Sequence, residues 1–398
     1  MHILMLTWEY PPNVVGGLGR HVAELAPALV KEGLQVRIIT PDTKLPASVS
    51  STENGVMVYR LHHPPLDKLG DFYEAVHEVN RRMYDYLYQM SQQYGQCDLI
   101  HVHDWLTSFA GIQLQQNWNC PLVATVHATE RGRYRGHLDS SLQQAIDNAE
   151  RQLVDRAERV IVCSHNMANE VQYFFQTPFD KLAIIPNGVN ITEMQGNHSP
   201  ADVAAFRAKY AAPDEQLIFT VSRLVYEKGV HLIIQAMPQV LQECPQARLV
   251  IAGRGPEGNN LRRQAKNLGV ADRISFIGFA TDQERNLFFR AANCAIFASL
   301  YEPFGIVALE AMALECPLVV SDVGGFSEVV KHAETGIKIY PDNVDSTAWG
   351  ITHALKNPDW VSKQASKAHQ TVAELFNWPR IAALTHDLYR RATRPGRY

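Results

Sequence analysis

Near the last quarter of the chain, the stretch YEPFGIVALEAMA carries two carboxylates, Glu302 and Glu310, on either side of a short apolar run. Pro303 precedes apolar positions that recur at helical spacing, which predicts a helix starting near Phe304 or Gly305 and running through Ile306 and Glu310. At about 1.5 Å of rise per residue, the two attachment points lie on the order of 10 Å apart along the axis. Retaining glycosidases hold their two carboxyl groups only about 5 to 5.5 Å apart. The spacing fits better a helix N-terminus that offers amides to a phosphate or sugar, with one carboxylate at either end of an elongated ligand. Two solvated glutamates at a helix start are the plain alternative. Upstream, VSRLVYEKG places Arg223 and Lys228 just past a strand-like run. A diphosphate would use both, arginine for its planar fork and lysine as a mobile point charge; alone, exposed basic residues are more often simply solvated.

Two glycine-rich loops also follow strand-like runs. In VVGGLGRH, Gly16 and Gly17 could let backbone amides approach a phosphate at the positive end of the next helix, although there is no Walker lysine and a tight structural turn explains the glycines equally well. GRGPEG, from Gly253 to Gly258, matches GxGxxG, but Pro256 crowds it and no acidic residue ends a following strand at dinucleotide spacing. A glycine at a strand-to-helix turn is the simpler reading. DLIHVHDWLTS and PLVATVHATERGR end strands in polar residues. His101 and His103 share a strand face and with Asp104 hint at a metal site, but no third ligand follows at a familiar spacing, so hydrogen-bonded core histidines and no metal are expected. His127 and Asp104 stand where residues of a binding cleft would. No GxSxG or catalytic cysteine setting occurs, which argues against acyl transfer.

The elements that must hold these residues alternate. HILMLT, VRIIT, DLIHVH, PLVATVH, RVIVCS and LAIIP in the first half, and LIFTVSRL, ARLVIAG, ISFIG, CAIFAS and PLVVSD in the second, are near-continuous aliphatic runs. Strands of that kind are covered on both faces, hence parallel sheets with crossover helices. Two blocks of strand, helix and strand predict an α/β chain of two doubly wound, Rossmann-like domains. Strand patterning stops in a polar, Pro- and Gly-containing segment, which places the boundary at 194/195: an N-terminal domain 1–194, a C-terminal domain 195–379, and a terminal helix 380–392. Ligands of open parallel sheets bind outside the carboxyl ends of the strands, so the functional residues should gather there.

Composition narrows the class. A chain of 398 residues with 46% hydrophobic and 20% charged residues is folded and too long for one ordinary core. A net charge of -4 argues against nucleic acid as a partner. Six cysteines without metal spacing read as buried thiols in a reducing cytoplasm. The N-terminal run MHILMLT lacks a basic start and is a buried strand rather than a signal peptide, and no run of about 20 apolar residues exists. Arg81 and Arg82 in FYEAVHEVNRRMYDYLYQM are offset by Glu74, Glu78 and Asp85, unlike a basic membrane-docking helix. Tyr84 and Tyr88, on one face of that helix, read as packing.

Taken together, VVGGLGRHVAELAPAL, HVHDWLT, TVHATERGR, IPNGVN, VSRLVYEKG, IAGRGPE, FIGF and EPFGIVALEAMA occur in the order seen in retaining GT-B glycosyltransferases. The chain resembles, over essentially its whole length, the family that includes glycogen synthases, sucrose synthases and mannosyltransferases. That resemblance implies two Rossmann-like domains facing across a cleft, with the terminal helix crossing back onto the first. It implies that Gly17 packs against the donor diphosphate, Arg223 and Lys228 neutralise the leaving nucleoside diphosphate, and Glu310 holds ribose hydroxyls. Glu302, with the backbone around Phe304, Gly305 and Ile306, would hold the donor hexose. His127 would contact the sugar near its C6 hydroxyl, Asp104 would lie toward the acceptor, and Gly253 and Phe279 would flank the base. No DxD triplet occurs, in keeping with basic side chains in place of a divalent metal and with no cofactor.

The expected reaction is retaining transfer of a hexose, in the first place glucose from ADP- or UDP-glucose to an α-glucan, by a cytoplasmic enzyme. MLTWEYPPNVVGGLGRH, HDW and HATERGR look closest to the glycogen synthase-like branch, whereas NVVGGLG replaces its lysine-containing start. A small acceptor such as a sugar phosphate is the alternative within the class, and a nucleotide-sugar epimerase the alternative outside it. Base identity is read by backbone groups, which leaves ADP and UDP equal.

Overall fold

The computed structural model describes residues 1–14 and 16–393, and the chain divides into two compact units. The first comprises Met1–Asn187 together with the segment that starts at Trp378; the second is Gly188–Asn377.

The first unit is built on β1 (His2–Leu6), β2 (Gln35–Asp42), β3 (Val49–Glu53), β4 (Val56–His62), β5 (Leu99–His103), β6 (Leu122–Val126), β7 (Arg159–Val162) and β8 (Leu182–Ile184). The sheet order is β3-β4-β2-β1-β5-β6-β7-β8. β5 and β6 are buried at every residue, which is why they read as unbroken aliphatic runs. β3 and β4 were not anticipated, and their pairing is antiparallel where a wholly parallel sheet was expected. The cause is position: β3, with the polar sequence VSSTE, is an exposed edge strand without an aliphatic run, and it tops the parallel sheet as a hairpin with β4.

The terminal helix, Trp378–Ala392, starts two residues before the expected 380. Its Trp378, Ile381, Ala382 and Tyr389 share a core with Val22, Leu25 and Leu29 of the helix Gly17–Lys31 and with Ile3 and Met5 of β1. Burial of such side chains stabilises by about 1.5–3 kcal/mol each. Sequence distance is therefore no measure of membership: a helix at the end of the chain completes the first unit.

The second unit carries β9 (Gln216–Val221), β10 (Ala247–Ala252), β11 (Ile274–Gly278), β12 (Cys294–Phe297), β13 (Leu318–Ser321) and β14 (Ile337–Ile339), all parallel, in the order β11-β10-β9-β12-β13-β14. Numbered within the unit this is the 3-2-1-4-5-6 order of dinucleotide-binding folds, with its switch point between β9 and β12. β14, three residues long, is too short to stand out in the sequence.

The division between the units falls after Asn187, not after residue 194. The backbone amide of Val189 donates to the Phe376 carbonyl at 2.8 Å, and Asn286 Nδ2 donates to the Met194 carbonyl at 2.9 Å. These bonds hold the polar stretch 188–195 on the second unit, whereas loss of strand patterning located only the middle of that stretch. Among the described residues no helix is long and apolar enough to cross a membrane. Arg81 and Arg82, in the helix Phe72–Tyr94, are spent on Glu78 and Asp85 of the same helix at 2.8–2.9 Å. Tyr84 and Tyr88 stack on one another there with ring centroids 5.8 Å apart.

Candidate active site

On the second unit the expected residues collect at the carboxyl ends of β9 and β12, on either side of the switch point. After β9 the chain makes a single 3-10 turn, Tyr226–Lys228, that ends on Gly229 at φ 65°. A Cβ on Gly229 would lie 1.8 Å from the Ala298 carbonyl oxygen, so only glycine lets this turn reach the end of β12. The Glu227 carbonyl accepts from the amide of Leu300 at 2.8 Å and locks the two loops together. That clamp delivers Lys228: its Nζ lies 2.8 Å from Glu302 Oε2, which also accepts from Ser299 Oγ at 3.1 Å.

Glu302 is 8% exposed, and the helix that follows runs over Ile306–Ala313, capped by Gly305 at φ 98°. A Cβ on Gly305 would strike the Phe326 ring at 2.4 Å. The pair Gly324 and Gly325 closes over the loop: Gly325 donates to the Glu302 carbonyl at 2.8 Å, and a Cβ on Gly325 would lie 2.2 Å from Phe304 Cα. The result is a helix start that adjoins an ammonium and a carboxylate, its Ala308 and Leu309 amides donating to the Gly305 carbonyl at 2.9 and 3.4 Å. Glu310 points into a second charged contact, with Oε2 3.5 Å from Arg285 Nε, both side chains buried. Arg223 remains exposed and meets Glu227 only at 3.7 Å.

Gly253 is explained by packing. It takes φ 129°, a Cβ there would lie 1.8 Å from the Ser222 carbonyl oxygen, and its amide donates to the Gly278 carbonyl at 2.6 Å. The GRGPEG glycines thus let one strand-end loop lie on another, and the Gly253 amide is not free for a ligand. Phe279, 64% exposed just past β11, offers an open ring face.

On the first unit, Gly16 caps the helix Gly17–Lys31 and its amide already has a partner: it donates to Glu9 Oε2 at 2.9 Å. A carboxylate thus occupies the helix start at which a phosphate was expected, and an incoming phosphate would meet a like charge there. Asp104 sits at φ 58° beyond β5, and its Oδ1 accepts from the His127 amide at 2.7 Å. Burial pushes the Asp104 carboxyl up to about 7, against the His127 amide and the Arg133 charge, which favour ionisation. Burial also raises Glu150, whose two oxygens both accept from the Glu130 amide at 3.0 Å.

The histidines form a buried cluster. His101 is fully committed, with Nδ1 2.6 Å from the Tyr389 hydroxyl and Nε2 2.7 Å from Thr125 Oγ1, so it is a structural core residue. His103 Nδ1 lies 3.2 Å from His127 Nε2, and His21 Nδ1 lies 2.6 Å from Asn187 Oδ1. Ring nitrogens of His21, His103 and His127 fall within 4.8 Å of one another and could close on a metal ion. This set differs from the His101, His103 and Asp104 grouping weighed from the sequence, because the third imidazole comes from the helix Gly17–Lys31, far from β5 in the chain. Burial lowers His127 to about 3, and burial with the neighbouring His127 ring lowers His21 to about 3, so both are neutral at pH 7.

Sequence reasoning missed Glu9, His21, Ser299, Arg285, Gly229 and the Gly324–Gly325 pair. The glycines had a signal, a strand end followed by GG or by a basic residue and G; His21 and Arg285 had none, since their partners Asn187 and Glu310 are distant in sequence, and the contacts of Glu9 and Ser299, though local, depend on loop geometry that no periodicity reports.

The model for glycosyl transferases group 1 matches residues 202–371, and that for Glycosyltransferase Family 4 matches residues 15–193. An uncharacterized glycosyltransferase of Methanocaldococcus jannaschii is 38% identical over 98% of both chains. Glycogen synthase of Mycobacterium tuberculosis is 33% identical over 99% of this chain and 95% of its own. Among solved structures, sucrose-phosphate synthase from Thermosynechococcus elongatus superposes with a TM-score of 0.83 at 26% identity, covering 98% of each chain. Two parallel-sheet units, the switch-point cluster and these relatives agree: the chain belongs to the GT-B glycosyltransferases of the glycogen synthase-like group.

Proposed function

We propose that the protein transfers glucose from ADP- or UDP-glucose to an α-glucan with retention of anomeric configuration and without a divalent metal. The observation that carries this reading is the Lys228–Glu302 pair, held at 2.8 Å beside the amide-rich start of the helix Ile306–Ala313. The anomeric C1–O bond breaks with its electron pair passing to the departing phosphate oxygen. A hydroxyl oxygen of the acceptor bonds to C1 on the same face, and its proton passes to that phosphate oxygen. Charge therefore builds on the leaving group, where Lys228, Arg223 and the helix start stabilise it electrostatically. Lys228 has three N–H donors and spends one on Glu302, so it can hold carboxylate and phosphate together. Glu302 is assigned to hexose hydroxyls, Glu310 to the ribose and Phe279 to the base. On the first unit, His127 is assigned to the sugar and Asp104 to the acceptor, while Gly17 can face the diphosphate only if Glu9 gives up the Gly16 amide. With its amide bonded to Gly278, Gly253 can contribute only shape.

The glycogen synthase relative supports the glucan acceptor, while the sucrose-phosphate synthase likeness supports a small sugar phosphate as the second reading. The test is incubation with ADP-glucose and UDP-glucose, with glycogen or a sugar phosphate as acceptor, with and without EDTA. Released nucleoside diphosphate and proton NMR of the new anomeric centre are the readouts. An α-linked glucan formed equally with EDTA is expected; a β-linkage, or transfer only to the sugar phosphate, refutes the corresponding part.

A further inference from the structure

The second unit carries a groove of about 450 Å³ that neither Lys228 nor Glu302 lines. It runs between the helices Val230–Glu243 and Gly258–Asn267, and its size falls in the range of about 300–1,000 Å³ usual for small-ligand sites. At its mouth stands Tyr226, 58% exposed, whose ring stacks on His231 with centroids 4.8 Å apart and planes 12° from parallel. The stack fixes the tyrosine as a flat platform. The amides of Gln235, Gln264 and Asn267 also face the groove, and among the described residues no hydrogen bond occupies their side chains.

The charges there cancel. Glu257 and Arg263 both line the groove, and Asn260 bridges them, donating to Glu257 at 3.1 Å and accepting from Arg263 at 2.9 Å. Burial lowers His231, which favours its neutral form. An anionic ligand would find no net attraction. A ligand with an apolar C–H face for the tyrosine ring and a rim of hydroxyls for three amides would fit, and a pyranose has both.

We propose that this groove is a second carbohydrate site that takes an uncharged α-glucan segment and retains the polymer on the enzyme between transfers. The inference rests on the α-glucan reading of the acceptor given above.

The experiment uses the full chain and two variants, Tyr226→Ala and Gln264→Trp, the second filling the groove from the helix opposite Lys228. Binding of maltoheptaose without donor is measured by calorimetry, and transfer to glycogen is measured in parallel. Both variants are expected to bind maltoheptaose roughly tenfold more weakly and to raise the KM for glycogen, and Gln264→Trp, which lies outside the Tyr226–Lys228 turn, is expected to leave the KM for donor and kcat at saturating glycogen unchanged. If the parent elongates glycogen and both variants bind maltoheptaose as it does, the groove site is overturned while the acceptor reading stands. A loss confined to Tyr226→Ala and accompanied by a raised donor KM also overturns it, as local damage around Lys228. A parent that neither binds maltoheptaose nor elongates glycogen overturns the acceptor reading and the groove site with it.

Discussion

Replacing Lys228 by Ala removes the cation 2.8 Å from Glu302 and leaves that carboxylate, 8% exposed, with the Ser299 hydroxyl as its remaining hydrogen-bond donor among the contacts described. A largely buried charge deprived of its partner costs about 2–3 kcal/mol of stability when, as here, the lost partner was itself partly solvated. If Lys228 acts on the leaving phosphate as proposed, the same substitution removes a donor to it, for which about 3–4 kcal/mol of transition-state stabilisation is expected, or roughly 100- to 1,000-fold in kcat. The two effects separate in a double-mutant cycle. Glu302→Gln removes the stranded charge, so Lys228→Ala with Glu302→Gln should recover most of the lost stability in urea unfolding, whereas transfer measured by released nucleoside diphosphate should stay low. Transfer by Lys228→Ala within about threefold of the parent would refute the leaving-group role. Stability effects that simply add would refute the ion pair as a coupled unit.

Two further predictions follow from the geometry. With burial lifting Asp104 to about 7 from its ordinary value of 3.8, the folded state binds the proton more tightly than the unfolded state, so this group's contribution to stability is lost as pH rises from about 4 to about 7. Asp104→Asn, which keeps an acceptor for the His127 amide, should therefore be about 1–3 kcal/mol more stable than the parent at pH 8.5, with the difference shrinking towards zero as pH falls to about 4; a difference that does not change with pH would refute the shift. Gly229→Ala forces a side chain into a φ of 65° and 1.8 Å from the Ala298 carbonyl oxygen, so a loss of about 2–4 kcal/mol in unfolding free energy is expected, together with reduced kcat as Lys228 is displaced.

How much of this was legible in the sequence differs by element. The buried strands β1, β5, β6, β9, β10 and β12 announce themselves because a strand covered on both faces must be aliphatic throughout. The edge strand β3 does not, since one side of it faces water. Arg223, Lys228, Glu302 and Glu310 were legible because they sit in two short stretches with strand ends in front of them. The pairing of Lys228 with Glu302 was not, for it depends on Gly229 allowing two loops to touch across the switch point. The Gly16–Gly17 turn reads in the sequence equally as open to phosphate and as a tight structural turn, and the structure shows Glu9 on the Gly16 amide, a contact between residues whose order in the chain says nothing of the turn between them.

By itself, then, the order of residues determined the doubly covered strands, the main amphipathic helices and the polar groups that stand at those strand ends, because they follow from local periodicity and from the need to bury apolar faces. The tertiary structure alone decided which of those groups meet: that His21 joins His103 and His127, that the last helix completes the first core through Tyr389 and His101, and that Glu310 faces Arg285. Such contacts join segments tens to hundreds of residues apart, and only the packing of whole sheets and helices sets their distances.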